Sequence, residues 1–295
     1  MKPLLAYFMA FVIGPIILLF STPLNSQNLP DNFSIAVNGI YNVNSVILRW
    51  SPTDFPTSHQ GIDLGYDLER YTIRNAQGFL GGEEYANSRV VIGQQIRPKP
   101  ESEWQVPSQT NDLYGVVAGC LYGDSLDLLP PGVPNVLTTQ NKSKERENRF
   151  GFSLFAADQN LTVAQMLGLA FIDFHVEPGC QYAYYATIHG KVVKSGFGRV
   201  STDSSFVLPR PSKPKVAAGD SSVTLTWEKN ASLYTSFVIE KSSNNGDTFQ
   251  PLSDTPMLHG STDEDEEDLA VYVDSLSSNG TLFIYRVIGC SPFGI

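Results

Sequence analysis

Cysteine is scarce in this 295-residue chain: Cys120, Cys180 and Cys290 are all it has. A disulfide-built scaffold needs more of them in less sequence, so packing has to hold the fold. Count alone leaves one bridge open, Cys120 to Cys180; three buried or half-buried thiols are the expected state. Basic charge is also short, 20 Lys and Arg against 30 Asp and Glu for a net −10. No basic stripe exists to neutralise phosphates, which excludes a nucleic-acid partner. The chain has no Gly-x-Ser-x-Gly elbow and no glycine-rich phosphate loop. Its histidines, His59, His175, His189 and His259, show no metal-ligand spacing with the cysteines. His175 and His189 flank one predicted strand pair, which keeps a small site there open; surface or turn positions are the expected reading. No catalytic residue, cofactor or metal is assigned, and the chain reads as non-enzymatic.

What is present is repetition. FIDFHVEPGCQYAYYA (171–186) and YVDSLSSNGTLFIYRV (272–287) agree at Asp173 and Asp274, Gly179 and Gly280, Tyr182 and Phe283, Tyr184 and Tyr285. Each copy is a strand, a turn over Gly and a second strand whose alternate aromatics share one face. Upstream, SVILRW (45–50) and SVTLTW (222–227) share Ser-Val-x-Leu-x-Trp, and GYDLERYTI (65–73) has its counterpart in SFVIEKSS (236–243). One all-β unit is therefore written twice. With 42% apolar and 17% charged residues the chain is globular.

Residues 1–27 stand apart: Lys2, an apolar run over Leu4–Phe20, then a polar exit. That order is a secretory signal peptide, with a membrane anchor as the competing reading of the 17-residue run. Residues 28–207 make the first unit, 208–214 a proline-punctuated linker, and 215–295 the second unit. Trp50 to Asp173 spans 123 residues and Trp227 to Asp274 only 47, so the first copy carries an insertion at about 76–168. Past a Pro-rich approach at 97–107 the insertion reads as helical. Asp112 caps a helix over 113–122, a turn follows at 129–134, a longer helix runs over 143–158, and Thr162 with Gln165 forms a capping box for the helix at 163–168. The second unit has six predicted strands and stops before a seventh, so it is read as truncated at its C-terminus in a fragment of a larger protein.

The residues Val-x-Leu-x-Trp, Tyr-x-Asp before a turn, Tyr/Phe-x-Tyr and Ser-Pro-x-Gly resemble the fibronectin type III family. The match spans nearly all of 211–295, and 33–75 with 169–202 in the first unit. The resemblance implies two tandem Ig-like β-sandwiches, with Trp50 and Trp227 between the sheets and Tyr182 and Phe283 at the tyrosine corner, where Phe283 lacks the hydroxyl. The insertion looks like one found in large exported bacterial proteins.

Other candidates read more plainly as structure than as sites. The acidic run Asp263–Asp268 lacks the Gly-punctuated ligand alternation of a calcium loop and reads as a solvated connection. Glu101, Glu103 and Asp112 are a carboxylate set any acidic protein offers. Phe150, Phe152 and Phe155 sit at helical spacing and read as core. The expectation is a secreted or cell-surface, non-enzymatic module that binds an extracellular protein or glycan and acts as a spacer, reaching a membrane only through its N-terminus. The insertion is the expected partner-binding element. The alternative is an accessory region of an extracellular, carbohydrate-active enzyme whose catalytic domain lies elsewhere.

Overall fold

The computed structural model describes residues 34–123, 139–192, 195–230, 233–253, 256–258, 268–276 and 279–294. The predicted signal peptide, the turn at 129–134, His259 and the acidic run up to Glu267 lie outside these residues. The chain divides into two compact units, one ending at Ser205 and the next beginning at Phe206.

Unit 1 opens with a hairpin, β1 (Ile35–Asn42) and β2 (Ser45–Pro52), whose turn residue Val43 takes φ 56, as a two-residue hairpin loop demands. Next is α1 (Phe55–Leu64), capped by Asp54, whose carboxylate accepts from the Thr57 N–H at 2.7 Å. Then come β3 (Tyr66–Asn75), β4 (Gly78–Phe79), α2 (Gly82–Asn87) and β5 (Val90–Ile96), with β4 and β5 both hydrogen-bonded to β3. The helical stretch is α3 (Glu101–Trp104), a 3-10 turn at Pro107–Gln109, α4 (Asp112–Tyr122), α5 (Thr139–Gln159) and α6 (Leu161–Met166). The unit closes with β6 (Ala170–Asp173), β7 (Gln181–Ile188) and β8 (Phe197–Ser201). One antiparallel sheet is ordered β1-β2-β6; the other is β4-β3-β7-β8 with β5 also on β3. The period-two alternation of the strands decides what is buried. Val46, Leu48 and Trp50 from the first sheet share a core with Tyr66, Leu68, Tyr182 and Tyr184 from the second, a β-sandwich-like arrangement.

Unit 2 contains β9 (Lys215–Gly219), β10 (Ser222–Glu228), β11 (Ser236–Ser242), β12 (Gln250–Pro251), β13 (Met257–Leu258), β14 (Leu269–Ser275) and β15 (Ile284–Cys290). Its first sheet is β14-β10-β9; in its second, β11 pairs with β12, β13 and β15. The repeat read in the sequence carries over into strand register. Val46 faces Asp173 as Val223 faces Asp274, and Arg70 faces Tyr184 as Lys241 faces Tyr285. The tryptophans match too: Trp50 meets Tyr66 edge-to-face at 5.9 Å, and Trp227 meets Phe237 at 5.4 Å. Among the described residues β15 has one neighbour, whereas its counterpart β7 has β8 on its other side.

At the start of the insertion, residues 78–96 extend the β3 sheet, with α2 between the added strands. The helices beyond share unit 1's core, where Trp104, Val117, Leu154, Ala157 and Val163 are buried. Two caps also move. Asn111, not Asp112, caps α4 by accepting from the Leu113 N–H, and Asn160, not Thr162, caps α6 by accepting from the N–H groups of Thr162 and Val163. Each carboxamide stands one residue outside the first turn, where the free N–H groups point. Gly168, at φ +68, ends α6 where a Cβ would lie 2.8 Å from the Arg97 backbone; there the Lys99 N–H reaches the Met166 carbonyl at 2.7 Å. The cysteines are free thiols, Cys120 and Cys180 buried and Cys290 half-buried.

Candidate functional site

Both units build the same buried polar device at corresponding positions. In unit 1 the Asp173 carboxylate accepts from Arg70 at 2.7 Å and from the Tyr184 hydroxyl at 3.1 Å, while the Arg70 guanidinium sits over the Tyr182 ring at 5.1 Å. In unit 2 Asp274 accepts from Lys241 at 2.7 Å and from the Tyr285 hydroxyl at 2.7 Å, with the Lys241 ammonium 4.5 Å from the Phe283 ring. Burial and the adjoining carboxylate raise both tyrosine hydroxyls above their ordinary range, so they stay protonated donors. The Tyr182 hydroxyl accepts from the Glu177 N–H at 3.0 Å; Phe283 has no such group. The repeat thus explains why Asp173 and Asp274 recur, a role the sequence reading left blank. We expect Tyr184→Phe and Tyr285→Phe each to cost roughly 1.5–3 kcal/mol, the range for a hydrogen bond to a charged acceptor. Urea unfolding would check this; an unchanged midpoint in both variants would remove the device from the stability account.

A second buried pair ties the helices to the sheet. Arg49, outward on β2, donates to Asp158 near the end of α5 at 2.7 Å and to the Leu169 carbonyl at 2.7 Å, with 0% and 4% of the two side chains exposed. These groups position a scaffold and face no solvent.

The exposed chemistry lies on the other sheet. Alternation turns Tyr66, Leu68 and Arg70 of β3 inward and Glu69 and Tyr71 outward; on β7, Tyr184 points in and Tyr185 out. β8 adds Phe197 beside Tyr185 and Arg199 beside Ala183, and α2 lowers Tyr85 onto the same face. Tyr71 and Tyr85 stack at 5.2 Å, Tyr71 meets Tyr185 edge-on at 5.4 Å, and Tyr185 lies 5.8 Å from Phe197. The hydroxyls of Tyr85 and Tyr185 are 3.4 Å apart. Phe197 is 37% exposed, and the three tyrosines are half-buried. The rim is polar: Arg89 pairs with Glu69 at 2.5 Å and holds its carboxyl below the usual carboxylate range, and Arg199 donates to Gln181 at 2.6 Å. Partial burial, then the contact with Tyr185, pushes the Tyr85 hydroxyl up. The result is a rigid aromatic surface framed by guanidinium, carboxylate and amide groups.

Against known protein families and curated proteins, the chain matches none.

The residues weighed in the sequence are scattered. His189 pairs with Asp67 at 2.9 Å, whereas the exposed His175 is held through its backbone, its N–H donating to Asp173 at 2.9 Å and its carbonyl accepting from Arg70, so the two form no site together. His59 pairs with Asp63 along α1 at 3.1 Å. Glu101 and Glu103 lie exposed on α3, and Asp112 exposed at the start of α4. Phe150 packs against the core, and Phe152 and Phe155 are half-buried. Asp268, the last residue of the acidic run, accepts from the Lys229 N–H through its carbonyl. Among the described residues no helix is long and apolar enough to cross a membrane. Sequence reasoning missed the aromatic face, although the consecutive Tyr184 and Tyr185 signal it: on a strand, one of two neighbours must point outward.

Proposed function

We propose that this chain is an exported, non-enzymatic module that binds an extracellular protein or glycan and spaces it, built from two fibronectin type III-like sandwiches. The division of strands supports that fold reading: three strands, including the one with the core tryptophan, form one sheet of unit 1, and β3, β7 and β8 form the body of the other. So does the Tyr182 hydroxyl, bonded to backbone five residues upstream. The binding reading rests on one observation, the aromatic face of β3, β7, β8 and α2. Four neighbouring rings on one sheet face, Phe197 the most exposed of them at 37%, present apolar surface at little ordering cost, and tyrosine supplies a polar tip as well. The insertion keeps a part in this, since its leading segment contributes Tyr85 and Arg89, while its helices from Glu101 onward serve the core.

The test is retention on surface and secreted material from the cells that make the protein. Wild-type protein should bind, and Tyr185→Ala combined with Phe197→Ala should lose about tenfold or more, as expected when aromatic anchors at the centre of a patch are truncated. Equal retention of the double variant, with an unchanged circular dichroism spectrum, would mean that this face is not the partner surface.

A further inference from the structure

Resting on that reading, we propose that the face is a carbohydrate platform: a pyranose chain lies against Tyr185 and Phe197 while its hydroxyls bond to the flanking polar groups. Three features of the face argue for sugar over polypeptide. Tyr185 and Phe197 are a strip of neighbouring rings, 5.8 Å apart, and the negative π-faces of such rings suit the weakly positive C–H face of a pyranose. Polar side chains of β7 and β8, Gln181 and Arg199, flank the strip. Those side chains are planar and already held. Arg199 and Gln181 orient one another at 2.6 Å, which leaves guanidinium and amide N–H groups free to meet vicinal hydroxyls. The charge also fits. Within a chain of net −10, the rim carboxylate of Glu69 is neutralised by Arg89 at 2.5 Å. A β-linked chain with equatorial hydroxyls presents the flattest C–H face and is the expected ligand class.

The experiment is native affinity electrophoresis of the full chain through gels containing hydroxyethylcellulose, xylan or laminarin, with binding constants from calorimetry on any that retard it. We expect retardation by at least one of them. Tyr185→Ala or Phe197→Ala should lower the association constant about tenfold or more, and Arg199→Ala severalfold. Arg199 is exposed and outside the ring packing, so its variant reports on binding even if a ring variant folds poorly. No retardation by any of the three overturns the proposal, as does retardation that all three variants retain. The two readings fail separately. If retention on surface material withstands periodate, which destroys vicinal diols, but is lost after protease treatment, the partner is a protein. The carbohydrate proposal then falls while the binding face stands. If wild-type protein is not retained at all, both fall.

Discussion

Asp158→Ala should destabilise unit 1 by roughly 3–5 kcal/mol, because it leaves the Arg49 guanidinium buried without its carboxylate. The cost comes from stranding a charge, not from losing a strong attraction. Replacing both partners with apolar groups, Arg49→Met with Asp158→Leu, should therefore recover most of the loss, since a buried ion pair and a well-packed apolar pair are often equivalent in stability. The titration of Asp158 says the same. Burial pushes its carboxyl up to about 6, and the opposing pull of Arg49 does not bring it back to 3.8. A folded-state value above the unfolded one means that protonation favours the folded chain. The contribution is fully present below the unfolded value, near pH 4, and is lost as pH rises through about 6. From this group alone unit 1 should be more stable at pH 4.5 than at pH 7.5, by at most ~3 kcal/mol for a shift of about two units. Asp158→Asn should flatten that slope. Urea unfolding followed by tryptophan emission at both pH values checks it, and an Asp158→Ala midpoint equal to wild type would show that the pair does not anchor the helices.

How far the sequence discloses this molecule depends on the distance over which each signal acts. Strand register is written locally, in alternation, and twice over. That is why the recurrence of Ser-Val-x-Leu-x-Trp and of the Asp-bearing strand is legible in both units, and the structure pairs each copy with the same partner. Helix ends are legible to within a residue or two, and the errors are instructive. Asn111 and Asp112 are both good caps, as are Asn160 and Thr162, and only the path of the incoming backbone decides which side chain meets the free N–H groups. α1 was missed despite the start signal Asp54-Phe-Pro, because its composition carries little apolar periodicity. The aromatic face is the opposite case. Tyr85 reaches Tyr71 and Tyr185 only because β5 returns to β3 and carries α2 across the sheet, a tertiary event with no local signature. The cations that complete the Asp173 and Asp274 devices are equally remote in sequence, Arg70 and Lys241 each arriving from a strand of the opposite sheet.

With no helix residues in its core among the described residues, unit 2 is the more fragile half, and Trp227→Ala should expose the weakness. Its core is Val223, Leu225, Trp227, Tyr234, Phe237, Ile239 and Ala270, whereas unit 1 adds buried helix residues to a comparable set of strand residues. Truncating a buried Trp costs roughly 3–5 kcal/mol, and the whole stability of a domain this small lies in the range of about 5–15 kcal/mol. A change of 1 kcal/mol moves the melting temperature of such a domain by about 4–8 °C. Unit 2's transition should then fall by more than roughly 12 °C, or vanish at room temperature, while the transition of unit 1 keeps its position. Trp227→Phe separates packing from hydrogen bonding. The indole N–H is buried with no acceptor among the described residues, as is that of Trp50, so phenylalanine removes an unmet donor and keeps an aromatic ring against Phe237. It should cost far less than alanine. Calorimetry showing unit 2 within a few degrees of wild type after Trp227→Ala would mean that this tryptophan, the residue around which the repeat is recognised, is not what holds the second sandwich together.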